Sequence, residues 1–191
     1  MNTIPSRLIV AILLLATTCL CGSLFADQKF DDLRKAAELG DAKSQCDLGA
    51  AYRHGKGVAK DLVEGVKWSR KAAEQGDALA QYSLGVAYYL GTGVAKDQME
   101  AVKWWRKAAE QGQAWSQARL GAAYHNGEGV AEDKVEAYAW VNLAAMTYED
   151  AKIKRTELEK TMTAQQIDAG QKRSAALDAL IKANQATNEK K

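Results

Sequence analysis

Lys71–Arg106 reads KAAEQGDALAQYSLGVAYYLGTGVAKDQMEAVKWWR, and the 36 residues on either side repeat it. Lys35–Arg70 is KAAELGDAKSQCDLGAAYRHGKGVAKDLVEGVKWSR, and Lys107–Asn142 is KAAEQGQAWSQARLGAAYHNGEGVAEDKVEAYAWVN. The three copies align without a gap. Twelve of the 15 glycines fall in four columns of the repeat, those of Gly40, Gly49, Gly55 and Gly57. A period of this length marks a stacked array, because one such unit cannot bury its apolar face alone and must share a core with its neighbours.

Each unit reads as a helical hairpin. Asp41 and Asp77 can N-cap a first helix, just after Gly40 and Gly76 have ended the previous one in the left-handed conformation. That helix runs to about Tyr52–His54. Gly55-Lys56-Gly57 then turns the chain, with Val58 tucked beneath the turn. A second helix opens at Asp61 with Glu64 three residues on, a capping-box pair repeated as Asp97/Glu100 and Asp133/Glu136. It continues through Trp68 to Gly76. Gly49, Gly85 and Gly121 lie inside the first helices, where each costs about 1 kcal/mol relative to Ala. Their recurrence predicts a close helix–helix approach, against the column of Trp68, Trp104 and Trp140. Ala51, Ala87 and Ala123 with Tyr52, Tyr88 and Tyr124 complete the seam.

Outward from the repeats the chain reads as caps and a leader. Residues 27–34 read as an N-terminal capping segment, and Phe30–Glu38 can form a helix equivalent to the second half of a missing unit. Residues 143–191 hold further capping helices, Glu149–Lys160 and Thr163–Ala186, and a frayed tail. Thr163-Ala164-Gln165-Gln166 is a capping box, and Ile167, Leu177, Leu180 and Ile181 supply an apolar stripe. The single proline, Pro5, lies in the first 26 residues, so no strong helix breaker interrupts the rest, which reads as all-α. Met1–Arg7 is short and positive, Leu8–Leu20 is apolar, and Leu24-Phe25-Ala26 suits cleavage after Ala26, the three-part pattern of a bacterial secretory signal. An uncleaved anchor over Leu8–Phe25 and a lipid anchor on Cys19 or Cys21 are the alternatives; the latter is disfavoured by Thr18 and Leu20 before the cysteines. Export to the periplasm, or secretion, is the localisation expected, with no membrane insertion of the mature chain.

Composition narrows the classes. The chain is 47% apolar and 26% charged with net charge +2, which excludes a disordered tail and provides no basic surplus for nucleic acid. Beyond the leader only Cys46 remains, so no internal disulfide can staple the fold, and Cys46 reads as a small, partly buried residue.

The columns Ala42-x-x-Gln45-x-x-Leu48-Gly49-x-x-Tyr52-x-x-Gly55-x-Gly57-Val58, then Asp61 and Ala72-Ala73, resemble the Sel-one-like repeat, a 36-residue relative of the tetratricopeptide repeat. The likeness covers Lys35–Asn142, and Met162–Ile167 is similar to the tail of bacterial members. It implies a right-handed α/α superhelix of three helix-turn-helix repeats (35–70, 71–106 and 107–142) with capping helices. The resemblance further implies a concave face lined by the first helices, and a role as an adaptor in envelope signalling, polysaccharide export, secretion or host contact. Cysteine-rich members with a disulfide in each repeat form a branch whose cysteines this chain lacks.

Catalytic patterns are sparse. His54 and His125 stand at the ends of first helices without a ligand partner at metal-binding spacing, so neither a metal nor a cofactor is expected. The Gly-x-Gly turns follow helices rather than strands and lack a third glycine, which rules out a dinucleotide fingerprint. No Ser-x-x-Lys occurs. The Asp61/Glu64 pairs read as caps, since acid–base chemistry does not need three copies. Function is therefore sought where the copies differ. Packing positions repeat because the seam repeats, whereas columns 43, 46, 47, 53 and 54 vary. Lys43, Arg53, Tyr82, Tyr89, Trp115, Arg119 and His125 are the candidate partner-binding residues, Trp, Tyr and Arg being the commonest anchors of interfaces. Trp105 and Trp115, uncopied in their columns, most need a partner. The leading expectation is a non-enzymatic adaptor holding a peptide or protein segment in the concave groove of the solenoid. The alternatives are an exported hydrolase or carbohydrate-acting protein on the same scaffold, and a structural envelope component.

Overall fold

The structure is a computed structural model and describes residues 28–188. The leader read at residues 1–26, with its cleavage site and both of its cysteines, lies outside these residues. Every regular element described is an α-helix: α1 (28–38), α2 (Ala42–His54), α3 (Leu62–Glu74), α4 (Ala78–Leu90), α5 (Gln98–Ala109), α6 (Ala114–Asn126), α7 (Lys134–Ala144), α8 (Glu149–Glu159) and α9 (Ala164–Asn188). Helices α2/α3, α4/α5 and α6/α7 pair as hairpins, and α3 packs on α4 and α5 on α6. The result is an all-α superhelical solenoid. Helix α1 packs Phe30, Leu33 and Ala37 with Leu48 and Trp68 at the first end, while α8 and α9 both pack on α7 at the other.

The helix ends follow from the repeated residues. Asp41 and Asp77 accept from Ser44 N–H and Ala80 N–H, each at 2.7 Å, and neutral Gln113 does the same for Ser116 N–H at 2.5 Å. Gly55, Gly91 and Gly127 close α2, α4 and α6 in the left-handed region at φ 69–72°. At the second helices the capping box is half built. Asp61 Oδ1 accepts from Val63 and Glu64 N–H at 2.9 Å, but Glu64 does not return the bond. The Asp61 N–H already donates to Tyr52 C=O at 2.9 Å, as Asp97 does to Tyr88 and Asp133 to Tyr124. Glu64 and Glu100 are thereby released to pair with Lys67 and Lys103, each at 3.0 Å. At Thr163 the box is complete: its N–H donates to Gln166 Oε1 at 2.9 Å, and Gln166 N–H donates to its hydroxyl at 3.2 Å.

The close helix approach is present, but its partner column is not the expected one. A Cβ on Gly49 would lie 2.6 Å from Ser69 Oγ, one on Gly85 2.5 Å from Trp105, and one on Gly121 2.5 Å from Val141. The contact therefore falls one residue beyond Trp68, Trp104 and Trp140. One step along a helix turns a side chain by about 100°, so adjacent columns face different neighbours. The three tryptophans are buried all the same, and Lys71 and Lys107 lie over the rings of Trp68 and Trp104 at 3.9 and 4.2 Å. Trp105, expected to face a partner, is only 2% exposed.

Between repeats a ladder of glutamines sets the register. Buried Gln45, Gln81 and Gln117 donate to the carbonyls of Ala37, Ala73 and Ala109, at the ends of the preceding second helices. Those carbonyls lie in the last turn, where each also accepts the N–H of the glycine three residues on, Gly40, Gly76 or Gly112. Gln75 and Gln111 reach back to Gly40 and Gly76 C=O at 3.0 Å and to Gln45 and Gln81 Oε1 at 2.7 and 2.8 Å. Arg70 and Arg106 donate to the hydroxyls of Tyr88 and Tyr124 in the next unit. In the last repeat their column holds Asn142, which instead donates to Ser174 on α9 and accepts from Arg155 on α8. The stripe of α9 is also shifted. Leu177 and Ile181 are buried with Ser174 and Gly170 on one face, while Leu180 is 49% exposed because it lies off that row.

Candidate functional site at the third repeat

Two clefts open beside the first helices. The larger, about 370 Å³, lies between α6, α7 and α8 with Tyr82 of α4 at its edge. Its floor is built from small or aliphatic groups: Ala118, Gly121, Val141, Ala151 and Leu158. Gly121 and Ala118 keep the floor low, and Val141 and Leu158 belong to the core that joins α7 to α8.

Aromatic rings form one wall. Trp115 is 47% exposed, and its ring centroid stands 5.9 Å from that of Tyr82 at 42°. Such tilted pairs place a ring edge near a ring face, which suits their quadrupoles. Tyr148, in the turn before α8, adds a third ring, and its hydroxyl donates to Asp150 at 2.8 Å. That bond is the main reason the Tyr148 hydroxyl is held above the ordinary tyrosine range. Arg119, His125 and Lys154 supply the polar rim. Lys154 pairs with Glu157 at 2.7 Å on the solvent side, whereas Arg119 is exposed and has no ion pair among the described residues.

Four of the seven candidates, Tyr82, Trp115, Arg119 and His125, therefore meet in one cleft. The other three do not. Arg53 lines the second cleft, about 300 Å³ between α2, α3 and α4, where it donates to Ser83 Oγ at 3.4 Å. Lys43 is exposed on α2 and lines neither cleft. Tyr89 packs its ring 5.5 Å from that of Trp105 and donates its hydroxyl to Glu128 at 3.0 Å. Comparison by column explains the difference. Ser69 and Val141 border the two clefts, and Trp105, their counterpart at the middle interface, fills the equivalent space with Tyr89 beside it. Tyr148, Asp150 and Lys154 were not legible as site residues, because they follow the last repeat and have no column with which to be compared.

The acid–base groups lining the cleft include His125, Asp150 and Lys154, and the hydroxyl–carboxylate bond there is that of Tyr148 to Asp150. Among the described residues, no group of three His, Cys, Asp or Glu side chains could hold a metal ion, and no helix is long and apolar enough to cross a membrane.

A stack of 36-residue helical hairpins defines an α-solenoid. The chain belongs to the Sel1 repeat family, which matches residues 33–41, 42–77, 78–113 and 116–146. Proteins of this family generally mediate protein–protein interaction and are typically non-catalytic repeat scaffolds. Among solved structures, a protective antigen of uropathogenic Escherichia coli strains that displays a Sel-one-like repeat fold is similar, with 35% identity and a TM-score of 0.74 over 83% of this chain. The match spans 35% of that longer protein. A Sel1 repeat protein from Oxalobacter formigenes is 37% identical with a TM-score of 0.63, covering 68% of this chain and 98% of its own. No individually curated protein matches the sequence.

Proposed function

We propose that this chain is an exported, non-enzymatic adaptor that binds a protein or peptide segment in the cleft between its third repeat and α8. The observation that carries the reading is the convergence of Tyr82, Trp115 and Tyr148 on one cleft whose rim holds Arg119, without an ion pair among the described residues. Aromatic and arginine side chains half exposed over an apolar floor are the usual anchors of a protein interface. Export rests on the leader at residues 1–26, followed by a mature chain beginning near Asp27. The E. coli relative, described as a protective antigen, supports a location outside the cytoplasm.

The test is site-specific photocrosslinking in the exporting cell. A crosslinking amino acid at Ala122, exposed in the cleft, should trap a defined partner, and one at Lys67 on the outside of α3 should not. Trp115→Ala should abolish the product while the melting temperature stays nearly constant. Trp104→Ala, at a buried site, should instead destabilise the fold by about 3–5 kcal/mol. Equal adducts from both positions, or equal melting losses from both tryptophans, would sink the assignment. A full-length cytoplasmic product would overturn export.

A further inference from the structure

Building on that reading of the cleft, we infer that its occupant is a short acidic peptide segment carrying one large apolar side chain. Charge points first to the sign. Helices α2, α4 and α6 together carry Lys43, Arg53 and Arg119 against Asp47 alone. The second helices, by contrast, mix both signs and pair them along their own surfaces, as in Lys67–Glu64 and Lys103–Glu100.

The cleft itself sharpens the bias. The cap column that holds Asp41 and Asp77 holds Gln113 at the start of α6, so one carboxylate is missing two residues before Trp115. The cap survives the change because an amide oxygen accepts the Ser116 N–H as a carboxylate would. Among the described residues the one carboxylate lining the cleft, Asp150, is engaged by the Tyr148 hydroxyl. Among the described residues Arg119 has no carboxylate partner, and its planar guanidinium matches an incoming one with two parallel hydrogen bonds. Lys154 holds Glu157 at a site where both groups are well exposed, a pair that a ligand carboxylate can exchange.

The apolar half of the ligand follows from the floor and the rings. Trp115 and Tyr82 stand over Ala118 and Gly121, leaving space that a single Phe, Leu or Trp side chain would fill. The segment is short because the groove is not continuous. Trp105 and Tyr89 close the equivalent space at the preceding interface, so an extended chain cannot run along the first helices in register with every repeat.

Fluorescence anisotropy with the purified exported chain and labelled dodecapeptides tests this. The probes are a peptide with one central Phe flanked by Asp and Glu, its Phe→Ser version, and a version with every acid replaced by Lys. The acidic Phe peptide should bind saturably and more weakly as salt rises, because screening weakens exposed charge pairs. Its affinity should fall at least tenfold with the Phe→Ser peptide and with Arg119→Glu. Arg119→Lys keeps the charge but loses the paired hydrogen bonds, so its loss should be measurable yet smaller than that of Arg119→Glu, and the lysine peptide should not bind. Equal binding of the lysine peptide, no saturable binding of the acidic one, or indifference to Arg119→Glu overturns the inference. If these fail while Ala122 crosslinking still depends on Trp115, the adaptor reading stands without the acidic ligand; if the crosslink fails too, both readings fall.

Discussion

Cys46 is the only cysteine in residues 27–191, and the fold closes it among Ala72, Ala73, Ala80, Leu84 and Trp104. Burial, and after it the nearby Asp77 carboxylate, push the thiol up to about 12. The thiolate is the nucleophile, so the native protein presents almost none of it at neutral pH. Iodoacetamide at pH 8 should therefore leave Cys46 unmodified in the folded chain and label it readily in denaturant; labelling at equal rates would mean that this interface opens. The same shift has a sign for stability. Folding favours the protonated thiol, so its contribution is complete below pH 9, the ordinary value, and is lost as pH rises towards 12. Denaturation midpoints should fall across that alkaline window, and Cys46→Ser should flatten part of the fall.

The repeating element is a pair of helices and a Gly-x-Gly turn, and the two glycines of that turn do different work. Gly91 and Gly127 end their helices with φ of 72° and 69°. Gly93 and Gly129, at φ 73° and 70°, lie against the start of the previous unit's second helix. A Cβ there would sit 2.1 Å from Leu62 O or 2.2 Å from Gln98 O, contacts with backbone that cannot yield. Gly40 shares the positive φ, at 99°, but has nothing within 4 Å of a Cβ. Gly40→Ala should thus cost only the left-handed strain, about 1–2 kcal/mol. Gly93→Ala should cost clearly more, because it also forces two repeats apart. Urea denaturation of both variants checks this, and equal losses would show that the turn does not set repeat spacing. At the same scale, Trp105 belongs to packing rather than recognition: it fills the interface opposite Gly85, where its neighbours in the column are Ser69 and Val141.

At the scale of the whole molecule, contacts run between neighbours along the stack, so the ends decide how far the array holds together. Helix α9 seals the last repeat. Its Leu177 and Ile181 join the core of Ala139, Trp140 and Leu143, Arg173 pairs with Glu136 at 2.5 Å, and Gln185 donates to Gln111 C=O at 2.9 Å. A chain ending at Thr163 would uncover Trp140 and Tyr138, both now buried. That truncation should lower the melting temperature and reduce helical signal by more than the residues removed account for, as α7 frays. Circular dichroism normalised per residue measures it; an unchanged normalised signal would make α9 an accessory rather than a cap. Helix α8, by contrast, is joined to α7 mainly through Ala151 and Leu158, and it brings Tyr148, Asp150 and Lys154 to the cleft.

By itself the sequence determined the helices, the turns, the 36-residue period and membership of an all-α array, since these depend on local chemistry repeated three times: a cap at Asp41 or Asp61, a left-handed glycine, an apolar stripe. It also singled out the variable columns, and four of their residues, Tyr82, Trp115, Arg119 and His125, do share a cleft. Only the tertiary structure decided which neighbour each column meets. Trp104 and Trp105 are adjacent and alike in type, yet about 100° of helical rotation sends them to different interfaces. Column arithmetic likewise could not see that Gln45 would bond Ala37 C=O, or that α8 would close the cleft around Trp115. Those contacts join residues with no shared local pattern, and they exist only once the repeats are stacked.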